Sequence, residues 1–213
     1  MPNRWRVTAL ASLLAALVAG AGGCYGGDLG LVIDDDHDGP CCSEPPPGGP
    51  LIVDLAGFDD LDGFVEPGGF VHLYEGLVTT DAGTVAFASF DLSRIPPNAR
   101  IRWADLVLTN AWWSACCGTI ELDVSTVPYG NALDSGDPSI AGYDTVAFSL
   151  GAAAEGAAVT LDVSALVATE VEYGATLFQV RLDSFGGDLG FEDAGGNLGL
   201  GTGLAPILTV SYD

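Results

Sequence analysis

Two neighbouring segments decide the fold: T-V-A-F-A-S-F-D-L-S-R-I-P-P-N-A at 84–99 and I-R-W-A-D-L-V-L-T at 101–109. Apolar residues recur at every second position in both segments. A period of two is typical of a half-buried β-strand. The inward faces are therefore predicted to carry Ala88, Phe90 and Leu92 in the first strand, and Ala104, Leu106 and Leu108 in the second. We expect these faces to form the core between two packed sheets.

The same pattern extends in both directions, as short apolar runs separated by Gly, Asp, Asn and Pro. Strands are predicted at 70–78, 84–92, 101–113, 118–127, 145–150, 158–163, 176–183 and 206–212. Only Ser164–Glu172 has helical character, with Ser164 as the expected N-cap. About eight short strands with turns between them predict an all-β sandwich with one short helix, formed by residues 51–213 as one domain. Asp91 and Asp162 fall at strand ends, where their carboxylates are expected to accept backbone N–H bonds.

Five segments resemble, in order, parts of the DNRLRE-type domains. They are 84–99, 101–109, V-T-L-D-V-S-A-L-V at 159–167, Y-G-A-T-L-F-Q-V-R-L at 173–182 and P-I-L-T-V-S-Y at 206–212. The resemblance covers roughly 58–213 and implies a jelly-roll β-sandwich on an extracellular protein. It also implies carbohydrate binding, because some members are carbohydrate-binding modules with alginate-like polysaccharides among their ligands. This chain departs from the family in having no Lys and few Arg, so an anionic polysaccharide would meet a repelling surface.

The amino-terminal segment has the parts of a secretion signal. Arg4 and Arg6 precede a short apolar run and the small residues that end at Cys24, which predicts a signal peptide at 1–23. The last four residues, A-G-G-C, resemble the lipobox of bacterial lipoproteins, which makes Cys24 the expected lipidation site. The alternative is ordinary cleavage near Ala21, with Cys24 left as a thiol. Tyr25 after the cysteine favours the outer membrane, facing the surface or the periplasm, by resemblance to the sorting rule of Gram-negative lipoproteins.

Residues 24–50 are rich in Gly, Pro and Asp and lack periodicity, so they are predicted to be a flexible tether between the lipid and the sandwich. Without residues 1–23, four arginines remain against 29 acidic residues, a net charge of −25. Such a chain repels phosphate backbones, which excludes nucleic-acid binding. The expected partners are the membrane, through the lipid, and a polysaccharide or an envelope protein.

Four further cysteines occur as two adjacent pairs, Cys41-Cys42 in the tether and Cys116-Cys117 in a predicted hairpin turn. In an oxidising compartment they are candidates for disulfides, and pairing between the two sites is favoured because adjacent cysteines form a strained bridge. A thiolate zinc site is the alternative.

In the tether, Asp34, Asp36 and Asp38 before Gly39 resemble the start of a calcium loop. The loop's last ligand is missing, so the alternative is a solvated acidic spacer, and Ca²⁺ is the one cofactor considered.

Aromatic residues on the strands are the candidates for glycan contact, because aromatic rings stack on the C–H faces of sugars. If Leu106 and its neighbours point inward, Trp103 and Trp113 share the opposite, outward face with Val107. Phe70, His72 and Tyr74 also alternate, opposite Val71 and Leu73. An outward aromatic stripe would be a binding platform. The alternative is that these rings pack under loops or in an interface.

Catalytic motifs are absent from the sequence, and the paired carboxylates that Asp59, Asp60 and Asp62 offer are a weak signal in so acidic a chain. We therefore expect a non-catalytic surface lipoprotein that binds polysaccharide or another envelope or matrix component. A structural or protein-interaction subunit of an envelope assembly is the first alternative. A polysaccharide-degrading enzyme is a weaker one.

Overall fold

The computed structural model of the chain describes residues 49–115, 118–153, 156–192 and 205–213. These residues contain β1 (Leu51–Ala56), β2 (Gly63–Val65), β3 (Val71–Leu73), β4 (Leu77–Thr79), β5 (Val85–Asp91), β6 (Ile101–Ala115), β7 (Thr119–Thr126), β8 (Asp144–Gly151), β9 (Ala158–Asp162), α1 (Ser164–Glu172), β10 (Leu177–Phe185), β11 (Gly187–Phe191) and β12 (Ile207–Tyr212). A short 3-10 turn, Asp137–Ser139, precedes β8. None of the described helices is long and apolar enough to cross a membrane.

The strands form two six-stranded antiparallel sheets. The first sheet runs β1-β12-β6-β11-β4, and β9 also pairs with β6. The second sheet runs β3-β2-β5-β10-β7-β8. The predicted all-β sandwich with one short helix is therefore confirmed.

The main core lies between the sheets, on the faces that the alternation predicts. Ala88 and Phe90 of β5, and Ala104, Leu106 and Leu108 of β6, are fully buried in it, while Leu92 is buried just beyond β5. Helix α1 adds Leu166, Val167 and Val171 to the same core. Because β9 belongs to the first sheet and β10 to the second, the helix between them crosses from one sheet to the other.

A second, smaller core covers the outer face of the second sheet. Strand β5 is apolar on both faces, so Val85 and Phe87 point away from the main core and pack with Tyr129 and Leu133 of the connection 127–143. The Tyr129 ring meets the Phe87 ring edge-on, at 5.3 Å between centroids. Arg181 also holds this connection against the sheet, because its Nη1 donates a hydrogen bond to the carbonyl of Ile140 at 2.8 Å. Part of the outer face of the second sheet is thereby shielded from solvent.

Asp91 and Asp162 have the predicted role at the ends of β5 and β9. Asp91 Oδ1 accepts the N–H of Ser93 at 2.8 Å, and Asp162 Oδ1 accepts the N–H of Ser164 at 3.0 Å. Hydrogen bonds from the serine hydroxyls, and then these backbone bonds, lower the pKa of both carboxyls. The prediction of Ser164 as N-cap is wrong, because the helix begins at that residue and Val163 occupies the cap position.

The predicted run 70–78 is two strands, β3 and β4. The break follows Leu73, because Tyr74 has a positive φ of 62° that no strand accommodates. Strands β1, β2 and β11 were not predicted. Strand β2 has three residues, and β11 (G-D-L-G-F) has glycine at two of its five positions, so neither carries a readable alternation.

Several predictions fall outside the described residues. They are the signal peptide at 1–23, lipidation of Cys24, the tether up to residue 48, the calcium candidates Asp34, Asp36 and Asp38, and the disulfide candidates Cys41, Cys42, Cys116 and Cys117.

Candidate functional site

A β-bulge in β6 separates the two tryptophans that were expected to share an outward face. Phe191 of β11 pairs with Asn110, but Gly190 pairs with Trp112, so Ala111 is an extra residue in β6. The extra residue reverses the alternation. Trp113 therefore packs against the main core, and the prediction that it lies outward beside Trp103 is wrong. Trp112 takes the outward position and covers Gly190, where an added methyl group would overlap its indole ring.

Trp103 keeps its predicted outward position, before the bulge. It pairs with Ser211 of β12, which pairs with Ile52 of β1, so the three side chains form one row across the outer face of the first sheet. Trp103 is 37% exposed and Ile52 is 63% exposed, whereas Ser211 between them is buried. The row thus presents two exposed apolar side chains, Ile52 and Trp103, on either side of a buried serine.

The next outward row, two residues along each strand, is polar. It comprises Asp54 of β1, Thr209 of β12, Asp105 of β6 and Asp162 of β9, each paired with its neighbour. Thr209 Oγ1 donates to Asp54 Oδ1 at 2.7 Å. Three carboxylates and a hydroxyl therefore stand beside the Trp103 row, and carboxylates accept hydrogen bonds from hydroxyl groups.

The candidates on β3 do not form an aromatic stripe. His72 lies opposite Val71 and Leu73, as predicted, but it faces the sandwich interior and stacks on Phe64 with ring centroids 4.4 Å apart. Its Nδ1 lies 3.2 Å from Glu75 Oε2. Phe70 and Tyr74 are exposed, at 68% and 49%, outside the strand itself. Phe70 and Tyr74 are therefore separate surface positions, and they do not form one platform with His72.

A groove lies at the end of the sandwich where the connection 92–100 passes α1. Its two adjoining depressions have volumes of about 410 and about 240 Å³, and Pro97 lines both. Arg100 and Glu172 line the larger one. Three of the four arginines outside residues 1–23 occur between 94 and 102, although Arg102 Nε already donates to Asp213 Oδ2 at 2.5 Å. Most of the arginines of the described residues are thus grouped near this groove.

The paired carboxylates that the sequence offers for catalysis have different environments. Asp62 is buried and accepts the N–H of Ser89 at 2.7 Å, while Asp59 and Asp60 are exposed. Asp62 thus holds the backbone of β5. Within the described ranges, no group of three or more His, Cys, Asp or Glu side chains is arranged to hold a metal ion.

Another carboxylate, Glu170 of α1, is buried and accepts a hydrogen bond from the Tyr143 hydroxyl. Burial, and then Glu170, raise the pKa of Tyr143 to about 12. A phenol with so high a pKa stays protonated near neutral pH, so its hydroxyl remains a hydrogen-bond donor to Glu170. The pair fastens the connection 127–143 to the helix.

No protein-family model matches the chain, and no curated protein matches it significantly.

Proposed function

We propose that this protein is a non-catalytic surface lipoprotein whose β-sandwich binds a polysaccharide on the outer face of the first sheet. The observation that carries the proposal is the Trp103 row standing beside the row of Asp54, Thr209 and Asp105. An indole ring can stack on the C–H face of a sugar, and the adjoining carboxylates can accept its hydroxyl protons. An open sheet face also offers room for an extended chain.

The charge of the face sets the ligand class. Three of the four residues in the polar row are carboxylates, and the chain as a whole is strongly acidic. A polymer rich in carboxylate or sulfate would be repelled at long range, whereas a neutral or amino-bearing glycan would not. We therefore propose a neutral or cationic polysaccharide, which differs from the alginate-like ligands implied by the resemblance to DNRLRE-type domains.

The test is a glycan array probed with the purified protein, with and without Ca²⁺, followed by affinity measurements on the retained glycans. Trp103→Ala is expected to weaken binding about tenfold or more, equivalent to about 1.4 kcal/mol. Tyr173→Ala is the matched control, because Tyr173 is an exposed ring at 80% that lies at the end of α1. An array with no retained glycan, or equal losses in the two variants, would contradict the proposal.

The membrane anchor is proposed from the sequence pattern that ends at Cys24. A diacylglyceryl group together with a further acyl chain would give stable membrane residence, which one chain alone does not. Expression in a Gram-negative host with radiolabelled palmitate should label the native protein and leave Cys24→Ala unlabelled. Label retained in the variant would place the lipid elsewhere, and an unlabelled native protein would exclude the anchor.

A structural or protein-interaction subunit is the second candidate. It is favoured by Leu51 and Ile52, which are 58% and 63% exposed on β1 at the edge of the first sheet. Exposed apolar residues on an edge strand are typical of interaction surfaces. Leu51 lies outside the Trp103 row, so Leu51→Lys would weaken capture by a protein partner while glycan retention would still depend on Trp103.

A further inference from the structure

Strand β8 forms one edge of the second sheet, and the described residues pair with it on one side only. It pairs with β7 over eight residues in unbroken register, from Thr126 opposite Asp144 to Thr119 opposite Gly151. No bulge interrupts it. Its other side offers a full-length row of backbone donors and acceptors, which is a template for another strand.

The sequence of β8 is D-T-V-A-F-S-L-G. It lacks the features that usually keep an edge strand from pairing with a strand of another chain. It contains no Pro, no Lys and no Arg, and its one charged residue, Asp144, is at its first position. The other described edge strands are different. Strands β3 and β4 have three residues each, β9 has five residues and ends at Asp162, and β1 carries Asp54 within its span. In a chain with 29 acidic residues, β8 is an unusually uncharged edge.

The inward side chains of β8 are also partly exposed to solvent. Val146, Phe148 and Leu150 point inward and pack against the main core, yet each is only partly buried. The outward side chains are small: Thr145, Ala147 and Ser149. A strand added beside β8 would cover the apolar row on one face and meet no bulky residue on the other.

We propose that a second copy of this chain occupies this edge, with the two β8 strands antiparallel about a twofold axis at Phe148. This register keeps the inward faces together, because each inward residue then opposes an inward residue of the other copy. Phe148 opposes the partner's Phe148, and Val146 opposes the partner's Leu150. Ala147 opposes the partner's Ser149. The two sheets would continue as one twelve-stranded sheet.

Charge does not oppose this register despite the acidity of the chain. Asp144 falls at the end of the paired segment and has no charged residue opposite it. The nearest acids on the outer face are Asp123 and Glu121 of β7, which pair with Ala147 and Ser149. Asp123 is three strand spacings, about 14 Å, from the partner's Glu121. Since this separation exceeds the screening length of about 8 Å at physiological salt, their repulsion is weak there.

Sedimentation equilibrium over a concentration series at physiological ionic strength tests the proposal, with covalent dimers excluded by non-reducing electrophoresis. The native protein is expected to dimerise. Ala147→Lys combined with Ser149→Lys places like charges directly opposite each other in the pairing and should give a monomer. Both positions are exposed, and Asp123 and Glu121 lie beside them within the same chain, so the variant should fold. Ile52→Lys, on the β1 edge, is the matched control and should dimerise like the native protein.

Hydrogen exchange of the native protein gives a second readout that does not depend on any variant. The amides of β8 that do not bond to β7 are expected to gain protection as concentration rises, while those of β1 do not. A monomer at every concentration would overturn the proposal. So would a dimer that survives the β8 substitutions in a folded variant, or one that Ile52→Lys abolishes.

Discussion

At the scale of single residues, Asp162 shows how a strand end is joined to the helix that follows. Ser164 donates to Asp162 Oδ1 through both its N–H, at 3.0 Å, and its hydroxyl, at 2.5 Å. The same hydroxyl oxygen accepts the N–H of Ala104 from β6, at 2.8 Å. One serine thus connects β9, α1 and β6, and it acts from the first helical position rather than from the cap.

These bonds make stability depend on pH in a definite direction. Because the pKa of Asp162 is lower in the folded protein than its ordinary value, ionised Asp162 stabilises the fold above about pH 4. That contribution is lost as the pH falls through the lower, folded value. Ser164→Ala should therefore cost about 1 kcal/mol at neutral pH and less at pH values below the folded pKa.

Urea unfolding of the native and variant proteins, at neutral pH and at a pH below the folded pKa of Asp162, measures this difference. Asp162→Asn is the control, because it cannot ionise and should remove the pH-dependent part of the Ser164→Ala effect. An equal loss at both pH values would mean that Ser164 acts only through Ala104.

At the scale of elements, Trp112 and Gly190 form a cross-strand pair in which the indole covers the glycine backbone. Gly190→Ala is expected to lower the free energy of unfolding by about 1–3 kcal/mol, because the new methyl group would overlap the ring. Gly151→Ala, where the structure has open space, should have little effect. In a double-mutant cycle, Gly190→Ala should cost less when Trp112→Ala is already present. Additive costs would show that the ring does not rest on the glycine.

Alternation identified most strands and both inward faces, and the helix bounds Ser164–Glu172 agree with the structure. It failed where the local pattern does not show which residues point inward. In A-W-W, residues 111–113, either tryptophan can be the inward one, and the bulge that decides between them depends on pairing with β11. Likewise, β5 is apolar on both faces, so only the connection 127–143 shows why Phe87 is buried.

At the scale of the whole molecule, the two sheets have different outer faces. The connection 127–143 covers part of the second sheet, whereas the first sheet presents the Trp103 row and the polar row beside it. The candidate site could be predicted only in part. Trp103 was identified from sequence, but Asp54, Thr209 and Asp105 come together through pairing of β1, β12 and β6, which are far apart in the chain.

The most direct test of the proposed binding face is an NMR titration that follows the indole N–H signals of the protein as a glycan retained on the array is added. Trp103 is 37% exposed on that face, Trp112 covers Gly190 beyond the bulge, and Trp113 packs against the core. The Trp103 signal is expected to shift with a saturating dose dependence while the Trp113 signal stays in place. A glycan that binds without moving the Trp103 signal would contradict the proposed site.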